Sequence, residues 1–166
     1  MTAETDLKKV FKGLQEKLGK AVSRREMEAL GAVAVGLIVK RTRLGYGVKT
    51  SFGSRFALSS IKWSDRYAKL RKTYPLDPTT RPKKSNLTLT GQMLRSVRVL
   101  TVTDGSVTLG PKGSRYDTDK TNEQIAEYNA KRGRVFMNLS QAEHGQLVRY
   151  YRRRFTDLLK RLARIS

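Results

Sequence analysis

Residues 85–96 read Ser-Asn-Leu-Thr-Leu-Thr-Gly-Gln-Met-Leu-Arg-Ser. Alternation at Leu87, Thr88, Leu89 and Thr90 runs into Gly91. One amphipathic turn carrying Met93 and Leu94 follows, and then a second alternating run begins at Val97. The stretch has a single charge, Arg95, while lysine and arginine crowd the segments on either side. A segment so poor in charge is fixed by packing and hydrogen bonds rather than kept in water.

Just downstream, Val97 to Thr103 alternates, Asp104-Gly105 interrupts, and Val107, Thr108 and Leu109 resume the pattern. Asp-Gly between alternating runs predicts a β-hairpin. Residues 110–120 read as a loop. Thr121 with Gln124 predicts a capped helix that ends at Gly133, followed by a brief extended segment from Arg134 to Leu139. Ser140-Gln-Ala-Glu143 is a second capping box and opens a helix running to about Ala163. Leu147, Tyr151, Phe155, Leu158, Leu162 and Ile165 form its apolar stripe.

Upstream, Leu7, Val10, Phe11, Leu14 and Leu18 share one helical face, and Gly19 ends that pattern. Ser23-Arg-Arg-Glu26 is a further capping box, and its helix should reach about Arg41. Residues 29–39 are apolar nearly all round, so this should be the most buried helix, with Gly31 and Gly36 available for close approach of another backbone. Residues 45–58 contain three glycines without a clear period and read as a flexible loop. Ser59 or Ser60 caps a short helix over residues 61–73, with Trp63, Tyr67 and Leu70 on one side. Pro75, Pro78 and Pro82 exclude regular structure beyond it and leave an exposed basic loop or arm around 75–86. The sequence therefore reads as one α+β domain over 1–166: a small, mainly antiparallel sheet covered by helices, with long helices near both ends.

The chain has 166 residues, no cysteine and a net charge of +21. Disulfides, thiolate metal sites and cysteine nucleophiles are excluded. The start lacks a basic-then-apolar leader, and the longest apolar run is far short of the about 20 residues a membrane span needs, so no membrane role is expected. Asn86-Leu-Thr and Asn138-Leu-Ser spell the glycosylation pattern but carry little weight without a secretory leader. Charge is unevenly placed. Residues 40–84 hold thirteen basic and two acidic side chains, and residues 131–166 hold ten and two, whereas residues 85–130 balance at five and five. Two basic blocks thus flank a neutral centre, which favours contact with phosphate or with acidic protein surfaces.

Catalytic and metal chemistry is not evident. His144 is the one histidine, and Ser140, one turn away, is better used as a cap, so His144 reads as a surface or interface residue. Asp117-Thr-Asp119 begins like a calcium loop but lacks its glycine and closing glutamate. Gly105 and Gly110 have phosphate-loop spacing, but Pro111 stands where lysine is required. No catalytic residue, metal ligand or cofactor is expected. The candidate functional residues are basic. Arg149, Arg153, Lys160 and Arg164 lie along the face of the last helix away from its apolar stripe, and Arg81, Lys83 and Lys84 lie in the proline-rich loop. Both sets are candidates for contact with DNA or a protein partner. Tyr150, Tyr151 and Phe155 read as core rather than as base-stacking residues.

Four features in order resemble the tail-completion and neck proteins of tailed bacteriophages, the virion morphogenesis group that includes the minor tail protein Z family. They are an N-terminal helical region, Leu58-Ser59 before a basic aromatic helix, the segment Leu87 to Ser96 before a hairpin, and an Ile-Ala-Glu-Tyr helix followed by residues 134–140 and a long closing helix. The structural motif positions are Leu87, Leu89, Thr90, Gly91, Met93 and Leu94, then Arg134, Phe136 and Ser140. Val135 stands where the family usually has proline. The resemblance covers residues 55–165. It implies a non-enzymatic virion part made in the host bacterial cytoplasm, which forms a ring of about six or twelve copies at the head–tail junction. Its implied partners are the head-completion or connector protein on one side and the tail terminator or tail tube protein on the other, with DNA in the channel. The competing expectation is a freestanding basic nucleic-acid-binding protein, supported by an isoelectric point near 10.7 but by none of the usual recognition modules.

Overall fold

The computed structural model describes residues 24–58, 91–103 and 105–162, together with Asp65, Lys69 and Leu87. The expected helix over 4–18, the cap at Ser23, the proline-rich loop, Arg81, Lys83, Lys84, Leu89, Thr90 and Arg164 lie outside these residues. So do the side chains of Leu158 and Leu162 in the last helix. Asp65 and Lys69 are helical, within the short helix expected there.

The described residues form an α+β fold with four helices and two separate two-stranded antiparallel sheets. Helix α1, Arg24–Arg43, carries Glu26 in its first turn and Lys40, Arg41 and Arg43 in its last, which suits the helix dipole. Gly45, at φ 90°, takes the left-handed conformation just past its end. Met27, Leu30, Ala34 and Ile38 are buried along one stripe. The helix is not buried all round: Ala32 and Gly36 face solvent, and Val33, Val35, Leu37 and Val39 are only partly covered.

The strands β1, Tyr46–Val48, and β2, Arg55–Ala57, pair antiparallel, with Gly47 opposite Phe56. The loop expected over residues 45–58 is therefore a hairpin. Strands of three residues are too short to show alternation. What fixes them is distant in sequence: Val48 N donates to Val135 O at 3.0 Å, and Phe52 N to Leu139 O at 2.7 Å. Gly47 permits that approach, since a Cβ there would run into Val135 O and the Phe56 ring.

Gly91, at φ 71°, opens the single turn α2, Gln92–Arg95, whose Met93 and Leu94 are buried. Leu87 is also at positive φ, 55°, and buried, so this end of the alternating stretch is a bend rather than strand. The Asp-Gly hairpin forms as expected from β3, Val97–Val102, and β4, Val107–Pro111. Strand β4 reaches two residues further than the alternation indicated. The register slips between Val99 and Thr101, leaving Leu100 as an extra residue in β3. Helix α1 lies across this hairpin.

Helix α3, Asn122–Lys131, has the expected Thr121–Gln124 capping box, and Gly133 follows at φ 79°. Residues 134–140 run as irregular backbone rather than strand, because their bonds go to β1 and to side chains instead of a ladder. Helix α4, Gln141–Leu162, closes the described chain and packs on α1. One hydrophobic cluster unites α1, Leu58, Leu87, α2, both hairpin strands, Phe136, Leu139, Leu147 and Tyr151.

The two glycines of α1 differ sharply. A Cβ on Gly31 would sit 2.7 Å from Val107 and 2.9 Å from Val99 methyl carbons, whereas Gly36 faces open space. Side chains, not a neighbouring backbone, make the close approach at Gly31. Gly31→Ala should therefore destabilise by about 1–3 kcal/mol through overpacking. Gly36→Ala should stabilise by roughly 0.5–1 kcal/mol through helix propensity. Urea denaturation of the two variants checks both signs.

Candidate functional site

The deepest polar feature ties α1 to α4. Arg41 continues the buried stripe of α1, and its side chain and that of Glu143 are each 1% exposed. Arg41 Nη1 donates to Glu143 Oε2 at 2.5 Å and to Asn138 O at 2.8 Å, while Nη2 donates to Phe136 O. The same carboxylate oxygen accepts from Ser140 N at 2.8 Å and from Ser140 Oγ at 2.9 Å. Glu143 N in turn donates to Ser140 Oγ at 3.3 Å, which completes the capping box. Arg55 of β2 stands 3.6 Å from the second oxygen. Burial pushes the Arg41 guanidinium below its ordinary pKa, and the charge and hydrogen bond of Glu143 oppose that push. Asn138 extends the network, its Nδ2 donating to Val48 O at 3.2 Å and Lys49 O at 2.9 Å.

Of the motif positions in the 134–140 segment, Phe136 and Ser140 belong to this network, while the Arg134 amide donates to Asn129 O at 2.8 Å. Arg134, Phe136 and Ser140 are buried at 5%, 2% and 2% exposure. Ser140 Oγ is engaged as a cap. His144 is half-buried rather than on the open surface, its ring tilted against Phe52 at 4.7 Å between centroids. No cluster of three potential metal ligands occurs among the described residues, and no helix of them is long and apolar enough to cross a membrane.

The predicted basic face is present on α4. Arg149, Arg153 and Lys160 are exposed, as is Arg152 beside them. Arg154, its side chain 41% exposed, reaches α1, its Nε donating to Glu26 at 2.5 Å. Tyr151 is buried, and Tyr150 and Phe155 pack on the core, so the aromatic residues of this helix are committed to the fold.

Two features were missed in the sequence. The first is an open groove of about 520 Å³ between α3 and the β3–β4 hairpin. Leu100, Leu109 and Pro111 line it from the hairpin, Ala126 and Ala130 from α3, and Met137 from the irregular segment, with Glu123 and Glu127 among its residues. The bulge that carries Leu100, still 38% exposed, helps to shape it. Gly110, whose partner in β3 is Arg98, leaves room for the bulged leucine, since a Cβ there would come within 2.9 Å of Leu100 Cδ1. The second is a pinned loop. Arg115 forks onto Asp117 at 2.9 and 2.7 Å, and Asn122 Nδ2 donates to Gly113 O at 3.0 Å. Tyr116 N donates to Gln92 Oε1, while its side chain is 83% exposed. Asp117, read from sequence as part of a solvated loop, is thus held by an ion pair. Burial acts to raise its pKa, but the Arg115 hydrogen bonds and charge outweigh that and hold it below the ordinary carboxylate value.

No protein-family model, curated protein or solved structure matches this chain.

Glu143→Gln should cost about 3–5 kcal/mol, because it strands a buried guanidinium; urea denaturation measures it, and a loss under about 1 kcal/mol would show the pair to be dispensable. A lowered folded pKa means that the Arg115–Asp117 fork is at full strength above the unfolded carboxylate value near about 3.9 and is lost as pH falls through the folded value. NMR of the amides of residues 114–119 should show the loop released in acid, and Asp117→Asn should release it at neutral pH.

Proposed function

We propose that this protein is a structural component of a bacteriophage virion, forming a ring at the head–tail junction around the DNA channel and joining the connector side to the tail side. The observation that carries the reading is the contrast between scaffold and surface. Two of the four features that carry the resemblance contribute to one hydrophobic cluster, through Leu87, Met93 and Leu94 and through Phe136 and Leu139. Around that centre, Arg149, Arg152, Arg153 and Lys160 of α4 are exposed, with Asp157 the one acidic residue from Arg149 to Lys160. A surface kept only for solubility mixes its signs. A one-signed face on a fixed scaffold suits DNA in a channel or an acidic neighbouring ring.

Negative-stain images of the purified full chain should show rings, formed alone or on addition of connector or tail tube. Arg153→Glu with Lys160→Glu should impair assembly or DNA retention while leaving the thermal unfolding transition in place, since both side chains are exposed. A chain that remains monomeric or dimeric and binds duplex DNA with affinity falling steeply with salt would instead be a freestanding nucleic-acid-binding protein.

A further inference from the structure

From Ala29 to Val39, helix α1 carries no charged residue. A helix apolar on every side is normally covered on every side. The described residues cover only part of this one. Helix α1 touches the β3–β4 hairpin, β1 and α4. The side formed by Ala29, Ala32, Gly36 and Val39 is left open. Ala32 and Gly36 are exposed, and Ala29 and Val39 are half-buried. Among the described residues, nothing stands within 4 Å of where a Gly36 Cβ would lie. Exposed Arg25 begins the same row one turn before Ala29.

We infer that residues 4–18, which precede α1 and lie outside the described residues, pack as an antiparallel helix on this open side. The spacing of the two rows carries the inference. Leu7, Phe11, Leu14 and Leu18 follow one another at four, three and four residues. Arg25, Ala29, Ala32 and Gly36 do the same. Set antiparallel, the rows coincide: Leu7 meets Gly36, Phe11 meets Ala32, Leu14 meets Ala29, and Leu18 meets the aliphatic stem of Arg25. Each row is about 16 Å long at a rise of about 1.5 Å per residue. Every large side chain falls on a small residue or a stem, so the two axes can approach closely. An alanine at position 36 would only repeat what Ala32 presents to Phe11. The occupant is this chain's own segment because residues 19–23 join the two helices directly, a length common between antiparallel neighbours. So short a tether holds the segment at an effective concentration of order millimolar, which a second copy in dilute solution does not reach. The inference does not depend on the proposed ring. It concerns how the chain completes its own core.

The test uses the full chain, which has no cysteine of its own, so an introduced pair reports without competition. Leu14→Cys with Ala29→Cys should close an intrachain disulfide under mild oxidation, read by peptide mass mapping. Leu14→Cys with Val39→Cys, about 15 Å further along α1, should not. Hydrogen exchange of the wild-type chain should show the amides of residues 4–18 slowed at least tenfold below the random-coil rate. Ala32→Glu, at an exposed position, should abolish that slowing while β3 and β4 keep theirs. A disulfide between two chains at positions 14 and 29 would assign the segment to a second copy and overturn the intrachain packing. Equal cross-linking at Ala29 and Val39, coil-like exchange over residues 4–18, or protection that survives Ala32→Glu would each overturn the docking itself.

Discussion

The buried Arg41–Glu143 pair is the constraint from which the rest of the architecture follows. Two charges in a site almost closed to water would be unfavourable alone. They are tolerated because most of their polar atoms are met: two backbone carbonyls from residues 136 and 138 take the guanidinium, and the Ser140 amide and hydroxyl meet one carboxylate oxygen, while Arg41 Nε makes no hydrogen bond and the other carboxylate oxygen has only Arg55 at 3.6 Å. The consequence is mechanical. The C-terminal end of α1, the irregular run 134–140 and the N-terminal end of α4 are locked at one point. None of them can shift without leaving a donor or acceptor unpaired in the interior. Residues 134–140 need no strand pairing because their carbonyls are spent on Arg41 and on β1.

That lock also explains the first hairpin. Strands of three residues have little stability by themselves. β1 persists because Val48 and Phe52 donate into the same segment that Arg41 holds, and because the Asn138 side chain caps the carbonyls of Val48 and Lys49. The neutral core and the exposed basic faces are therefore two aspects of one arrangement. Arg41 is buried against Glu143, Arg115 is held by Asp117, and the partly exposed Arg154 reaches back to Glu26; Arg149, Arg152 and Arg153 are exposed.

Local signals were readable and distant ones were not. The Asp-Gly hairpin, the Thr121–Gln124 and Ser140–Glu143 boxes and the Leu147, Tyr151 and Phe155 part of the α4 stripe are all written within a few residues, so periodicity and capping chemistry find them. The α+β class follows from their order. The β1–β2 hairpin is set by partners some ninety residues away, as Asn138 to Val48 shows, and nothing local to residues 45–58 encodes it. The groove was hidden because it depends on a bulge, and a slip of one residue at Leu100 leaves no trace in an alternating pattern. Arg41 did leave a trace. It falls three residues after Ile38 and so continues the stripe of Met27, Leu30, Ala34 and Ile38. Its charge disguised it as part of the basic end of the helix.

The bulge shows how a surface of this kind arises from backbone geometry. Without the extra residue, position 100 would follow the pleat and the hairpin would present a regular flank to α3. The slip leaves Leu100 unpaired, and Gly110 of β4 lacks the Cβ that would crowd its side chain. On the facing helix, Ala126 and Ala130 sit one turn apart and keep the trough wide, while Glu123 and Glu127 precede each by three residues and stay exposed. The helical period thus sets an apolar row beside an acidic row on one element, while the neighbouring element supplies the apolar wall.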